Sequence, residues 1–191
     1  WRTRGPKSIA ALLGVCGGHV QMMAVGPELR GAREWAVCFL KSGVIPSIGH
    51  TLEDHSICAV SSRHCSGRLA ITHLGNRMLP LSARELGPIG LAMNGAVPFV
   101  GVIPDGNHVA GKTLKLWANT TALNGKLMFQ SDNLSHAGTT ATSFQAGGLN
   151  LVRDGSAARR PDGGLAGTLD SLPRMLAARI KDGTISLAQA V

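Results

Sequence analysis

Short apolar runs alternate along this chain with segments whose apolar residues recur every three or four positions. Residues 19–25 form a strand-like run closed by Gly26-Pro27-Glu28. Residues 31–42 carry Ala32, Trp35, Ala36 and Phe39 on one helical face. The run Gly43-Val44-Ile45-Pro46-Ser47-Ile48 leads into His50, and Arg68-Leu69-Ala70-Ile71-Thr72 leads into His73. Between them Thr51 can cap a helix reaching about residue 65, with Asp54 three positions on. After His73 come a loop rich in Pro80, Ser82, Arg84, Gly87 and Pro88, a strand over 96–103, a helix-like stretch over 111–123 and a strand over 126–130. The chain then turns Gly-, Ala- and Arg-rich to about residue 167, and the pattern assigns no element there. From Thr168 onward it reads as helix, with Leu172, Met175, Leu176 and Ile180 as the buried stripe and a break at Asp182-Gly183-Thr184.

Buried runs of this length read as strands of a parallel sheet. About five of them alternating with helices predict an α/β fold with right-handed crossovers and a single domain over 1–191. At the start, Arg2, Arg4 and Lys7 precede the apolar residues 9–15, which imitates a signal peptide. No small-residue cleavage site follows, and the segment reads as a helix with a basic start and an apolar face.

Composition narrows the function classes. At 191 residues and 44% hydrophobic, the chain can bury a sizeable core and is not a disordered polymer. Aromatics are 4% with no tyrosine, so that core is aliphatic. A formal charge of +8 attracts either nucleic acid or small anionic substrates. Lys/Arg runs stay short and stacking aromatics are scarce, which argues against a single-strand groove and for no nucleic-acid partner. Cys16, Cys38, Cys58 and Cys65 contain no C-x-x-C pair, and fit reduced thiols in a cytoplasmic protein. No apolar stretch approaches the ~20 residues that span a bilayer, so no membrane partner is expected.

Polar side chains recur at strand ends: His50, His73, His108 and Asp132. They are spaced by one strand–helix unit or a little more. If the strands are neighbours, all four line one rim, the end of a barrel where chemistry is kept. Two neutral imidazoles, His50 and His73, can hold a divalent metal, which lowers the pKa of bound water to about 7. A neighbouring carboxylate, Asp132, can take the water's proton and return it to a leaving amine. His108, Arg84 and Asn76 can orient an anionic or amide-bearing substrate. His19, His55, His64 and His136 read as structural or solvated groups.

A competing reading starts from Gly106-Asn107-His108-Val109-Ala110-Gly111-Lys112-Thr113, which matches G-x-x-x-x-G-K-T. As a phosphate-cradling loop it would hold a nucleotide through its amides and Lys112, with Thr113 on Mg²⁺ and Asp132 as the second metal-holding carboxylate.

Several motifs, taken in order, resemble a known family. They are Gly49-His50-Thr51, Thr72-His73-Leu74-Gly75-Asn76-Arg77-Met78, Arg84-Glu85-Leu86-Gly87, Asp105-Gly106-Asn107-His108-Val109, Ser131-Asp132-Asn133 and Leu165-Ala166-Gly167-Thr168. Together they resemble the carboxyl-terminal part of N-acetylglucosamine-6-phosphate deacetylases of the amidohydrolase superfamily, over about residues 15–190. The resemblance implies a partial (β/α)8 TIM-type barrel with about five parallel strands, and hydrolysis of the N-acetyl group of N-acetylglucosamine 6-phosphate to glucosamine 6-phosphate and acetate. It implies His50 and His73 as ligands of a zinc or iron ion, with a third ligand, a glutamate, before residue 1. It implies Asp132 as the general acid/base, and Asn76, Arg84 and His108 as contacts to the amino-sugar phosphate. Arg84 would reach a partner subunit's site in a homodimer. Gly75 stands where the family carries an aromatic, and Arg77 where it carries a small alanine. A noncatalytic remnant of the same lineage is the remaining reading.

Overall fold

The computed structural model describes residues 6–53 and 67–191. Two compact units divide the chain, residues 1–101 with 121–128 and residues 102–120 with 129–191.

The first unit contains α1 (Pro6–Val15), β1 (Met22–Val25), α2 (Ala32–Lys41), β2 (Ile45–Ile48), β3 (Ala70–Ile71), α3 (Gly87–Met93), β4 (Phe99–Val102) and β5 (Leu127–Phe129), with the end residues of β4 and β5 assigned to the second unit. The five strands form one sheet in the order β1-β2-β3-β4-β5. Successive pairs from β1 to β4 are parallel. This is the five-stranded parallel α/β arrangement that the apolar runs predict.

Register explains which residues are apolar. Ala24, Ser47, Ala70 and Phe99 lie at one height, and Val25, Ile48, Ile71 and Val100 at the next. Neighbouring heights face opposite sides of a sheet. The branched row faces the helices: Val25 packs with Ile9 and Leu13 of α1, Trp35 and Phe39 of α2, and Val44. Burying each such side chain stabilises the fold by roughly 1.5–3 kcal/mol. Helix α2 stops where Gly43, at φ +80°, takes the left-handed conformation that lets Val44 N–H reach the Phe39 carbonyl at 2.8 Å.

Two stretches differ from the sequence expectation in this unit. The loop expected around Gly87 and Pro88 is helix α3. Proline at a helix start gives up only an amide that has no intrahelical partner. Small buried residues (Gly87, Gly90 and Ala92) mask the helical period. The helix expected from Thr51 to about Cys65, with His55 and His64, lies outside the described residues beyond Glu53.

The second unit contains α4 (Gly111–Ala118), β6 (Ser143–Ala146), β7 (Leu149–Asp154), β8 (Ala157–Arg159), β9 (Leu165–Thr168), α5 (Leu172–Lys181) and α6 (Leu187–Ala190). The Gly-, Ala- and Arg-rich stretch is therefore an antiparallel sheet in the order β6-β7-β8-β9. Gly147, Gly148 and Gly155 turn it with positive φ. Leu151, Ala158 and Leu169 form its small core. Thr168 ends β9 rather than starting a helix, and α5 begins three residues after Leu169, at Leu172. Of the expected stripe on α5, Met175 is fully buried. Among the described residues no helix is long and apolar enough to cross a membrane.

Gly87 sits at φ +55°, and a Cβ there would lie 2.7 Å from the Leu79 carbonyl oxygen, a backbone atom that cannot swing aside. Gly125 has a similar φ of +68° but open space around it. Gly87→Ala should therefore cost roughly 2–4 kcal/mol and Gly125→Ala about 1 kcal/mol, read from urea unfolding midpoints.

Candidate metal and catalytic site

The two histidines meet because the β2–β3 register, with Ile48 opposite Ile71, continues two residues on to set His50 opposite His73, and the chain after β3 then carries one residue more than a regular ladder. Thr72 N–H donates to Ile48 O at 2.9 Å on the β2 side, and Leu74 N–H donates to Gly101 O at 2.7 Å on the β4 side. In a regular strand, residues two apart bond to the same side. The residue between them, His73, is thus the extra residue of a β-bulge. It adopts φ +36°, a left-handed conformation that is costly for a side chain of this size. Beyond the histidines the two segments join again. Thr51 N–H donates to Arg77 O at 3.1 Å, Leu79 N–H donates to Thr51 O at 2.8 Å, and Thr51 bridges Met78.

Held from both ends, the His50 and His73 rings stack with centroids 4.5 Å apart and planes 23° from parallel. His50 is exposed and His73 half-buried. The His73 ring lies beside Gly49, its Cε1 3.7 Å from where a Cβ would be, an ordinary contact distance. Two imidazoles on one ion hold their nitrogens roughly 3–4 Å apart, given metal–nitrogen bonds of about 2.0–2.1 Å. Ring centroids 4.5 Å apart are compatible with two imidazoles meeting one divalent ion. Among the described residues no group of three or more His, Cys, Asp and Glu side chains is gathered for a metal.

Asn76 and Arg84 belong to the same unit. Asn76 closes the turn after β3, its N–H donating to His73 O at 2.9 Å. Arg84 is exposed in a turn organised by the Ser82 hydroxyl, which accepts the Arg84 and Glu85 amides.

His108 and Asp132 belong to the second unit. His108 Nδ1 lies 2.8 Å from Asp105 Oδ2, with both side chains almost fully buried at 3% and 1% exposure. A carboxylate only accepts, so Nδ1 carries the proton and the ring orientation is fixed. Asp105 Oδ1 also accepts the amides of Asn107 and His108, at 2.9 and 2.8 Å. Those amides are consequently not free to cradle a phosphate, which removes the main support for the G-x-x-x-x-G-K-T reading.

Asp132 is exposed and sits at φ +51°. Its turn is fastened to β9. The fully buried Thr168 donates its hydroxyl to Ser131 O at 2.6 Å and touches Asn133 Oδ1. Leu134 N–H donates to Thr168 O at 3.1 Å. Thr168 thus ties down the residues on both sides of Asp132.

No protein-family model matches the chain. It is 30% identical over 173 residues to the N-acetylgalactosamine-6-phosphate deacetylase of Shewanella sp. (strain ANA-3), covering 90% of this chain and 43% of that protein. It is 29% identical over 153 residues to the N-acetylglucosamine-6-phosphate deacetylase of Bacillus subtilis (strain 168), covering 80% of this chain and 38% of that one. Its fold superposes on the N-acetyl-D-glucosamine-6-phosphate deacetylase of Mycobacterium smegmatis, solved as a mutant in complex with N-acetyl-D-glucosamine-6-phosphate. The TM-score is 0.84 at 26% identity, over 98% of this chain and 50% of that one. The chain belongs to the amino-sugar-6-phosphate deacetylase family. It spans less than half the length of those two sequence relatives.

Two carboxylates that hold loops at strand ends, Asp105 and Glu28, were not singled out from sequence. Asp105 orients His108, and an Asp-Gly pair directly after a strand is a signal for such a side-chain-to-backbone turn. Glu28 closes the loop after β1 as His50 follows β2. The rule that picks polar residues at strand ends applies to it equally.

Burial alone would raise the Asp105 pKa. The His108 ring and amide, and then the Asn107 amide, outweigh it and hold the carboxyl below its ordinary value. A carboxyl lower in the folded than the unfolded state stabilises the fold above the unfolded pKa of about 3.9, and this is lost as pH falls through the folded value. Asp105→Asn should therefore flatten the loss of stability below about pH 4, measured by urea unfolding across a pH series. His108→Ala, which strips a buried carboxylate of its partner, should cost roughly 1–3 kcal/mol at neutral pH.

Proposed function

We propose that this chain is the catalytic part of a divalent-metal-dependent hydrolase acting on the N-acetyl group of N-acetylglucosamine 6-phosphate. Water adds across the amide, releasing acetate and glucosamine 6-phosphate. The observation that carries the reading is the stacked His50–His73 pair at the ends of adjacent parallel strands.

In this reading His50 and His73 hold a zinc or iron ion. Such an ion supplies Lewis acidity towards the amide carbonyl and eases ionisation of the attacking water. Asp132 takes the water's proton at a carboxylate oxygen and delivers it to the departing amine. Its left-handed backbone is the kind of strain that survives where neighbouring structure over-determines it, here through Thr168. His108, with Nδ1 committed to Asp105, keeps Nε2 for the sugar phosphate, which Asn76 and Arg84 also contact. Arg84, exposed in its turn, reaches the partner's site in a homodimer. The net charge of +8 draws in the anionic substrate. That residues 1–191 work as one partial-barrel domain in the cytoplasm belongs to the same proposal.

The test is release of free amine from N-acetylglucosamine 6-phosphate by the purified chain supplied with zinc or ferrous ion. The expected result is turnover that chelation abolishes, and a fall of at least about 100-fold in Asp132→Asn. No amine release at saturating metal, or an equal rate in Asp132→Asn, overturns the proposal.

A further inference from the structure

Both glycines of Gly106-Asn107-His108-Val109-Ala110-Gly111 face one arginine of α5. A Cβ on Gly106 would lie 3.5 Å from Arg179 Nη1 and 3.8 Å from its Cζ and Nη2, so the guanidinium occupies the room of a side chain there. A Cβ on Gly111 would lie 3.4 Å from the same Nη1 and 3.3 Å from Thr184 Oγ1. Gly106 also needs glycine for its backbone, at φ +82°. Gly111 has no left-handed φ and opens α4, where alanine is the better helix former. Crowding by Arg179 and Thr184 is what calls for glycine at that position.

The arginine is aimed by its own segment. Its Nη1 donates to Asp182 Oδ2 at 3.0 Å, and Asp182 Oδ1 accepts the Thr184 N–H at 3.0 Å. The Arg179 carbonyl accepts the Thr184 and Ile185 amides at 2.9 and 3.2 Å. The same segment reaches the far end of α4, where Gln189 Nε2 donates to Ala118 O at 2.8 Å. Residues 179–189 thus grip α4 at both ends together with the loop before it. Arg179 Nε is buried without a hydrogen-bond partner, which costs stability, so packing alone does not account for an arginine there.

We propose that Arg179 is a positioning residue that holds the Asp105–His108 pair in place for the anionic substrate, an inference that rests on the reading of His108 as a contact to the sugar phosphate. The G-x-x-x-x-G spacing is then a seat for a guanidinium of the same chain. Gly106 stands inside the turn in which Asp105 accepts the Asn107 and His108 amides and the His108 ring. A group packed on Gly106 therefore keeps that turn closed, and with it the direction in which His108 Nε2 is presented.

The readout is the His108 Nδ1–H proton in NMR spectra of the whole chain, assigned by its loss in His108→Gln. In Arg179→Met it should exchange with solvent at least about 10-fold faster, while the amides of β7 keep their protection. Gly111→Ala leaves Arg179 in the chain but crowds it, and should shift His108 in the same direction despite favouring α4. With N-acetylglucosamine 6-phosphate, both variants should raise KM at least about 10-fold and keep kcat within about 3-fold, the pattern of lost binding and not lost chemistry. Unchanged Nδ1–H exchange in both variants, or exchange that quickens equally throughout β7, overturns the proposal. So does a fall in kcat at unchanged KM. If the parent chain releases no amine while the His108 proton responds as expected, the deacetylase reading falls and the hold of Arg179 on His108 stands.

Discussion

The candidate site depends on the register of one parallel ladder. β2 and β3 run side by side in fixed register, with Ser47 opposite Ala70 and Ile48 opposite Ile71. Continued by two residues, that register sets His50 directly opposite His73, so the pair follows from the ladder itself. The bulge at His73 changes the direction of the chain by one residue, and the Thr51–Met78 bridge returns the segments to contact beyond it. The backbones that carry the two rings are held by main-chain hydrogen bonds below and above them, and the rings stack on each other. That is a rigid support of the kind a ligand pair needs, since a metal's ligands must be arranged before the ion arrives for binding to be tight.

Strain is distributed in the same pattern. The positive-φ residues other than glycine among the described residues are His73, Arg77 and Asp132. His73 and Asp132 are the proposed ligand and proton carrier, and Arg77 lies in the turn that locks the first of them. Each has a neighbouring bond that over-determines it: Leu74 to Gly101 for His73, Thr51 to Arg77 itself, and Thr168 to both sides of Asp132. Energy held in this way lowers stability without serving the core, and residues so held cluster where function constrains the backbone.

Much of the sheet was legible because its central strands, β2 to β4, are mostly buried and so read as continuous apolar runs. Val44, Ile45 and Ile48, or Leu69, Ala70 and Ile71, leave little else for those segments to be. The strand-end rule then picked out His50, His73 and Asp132. Helix α3 was hidden because, beside Leu91, the residues it buries are glycine, proline and alanine, whose contribution is close approach and not hydrophobic period. Sheet β6–β9 was hidden because its core is as small as Leu151, Ala158 and Leu169, and most of its residues are solvated. The positive φ of His73 and Asp132 is set by tertiary hydrogen bonds, and no local residue preference announces it. The roles of Asp105 and Glu28 depend on partners that the folded loops bring to them, and for Glu28 that partner is distant in sequence.

The supports of the site are local. The histidine pair needs β2, β3, the edge of β4 and the segment 51–79. His108 needs Asp105, three residues away. Asp132 needs Thr168 and the strand that carries it. None of these devices draws on closure of a complete barrel. Each is made by hydrogen bonds between neighbouring segments and is backed by a separate small core, Val25 with Trp35 and Phe39 in one unit and Leu151 with Leu169 in the other. Each of these side chains is thus kept in position by the segments that adjoin it.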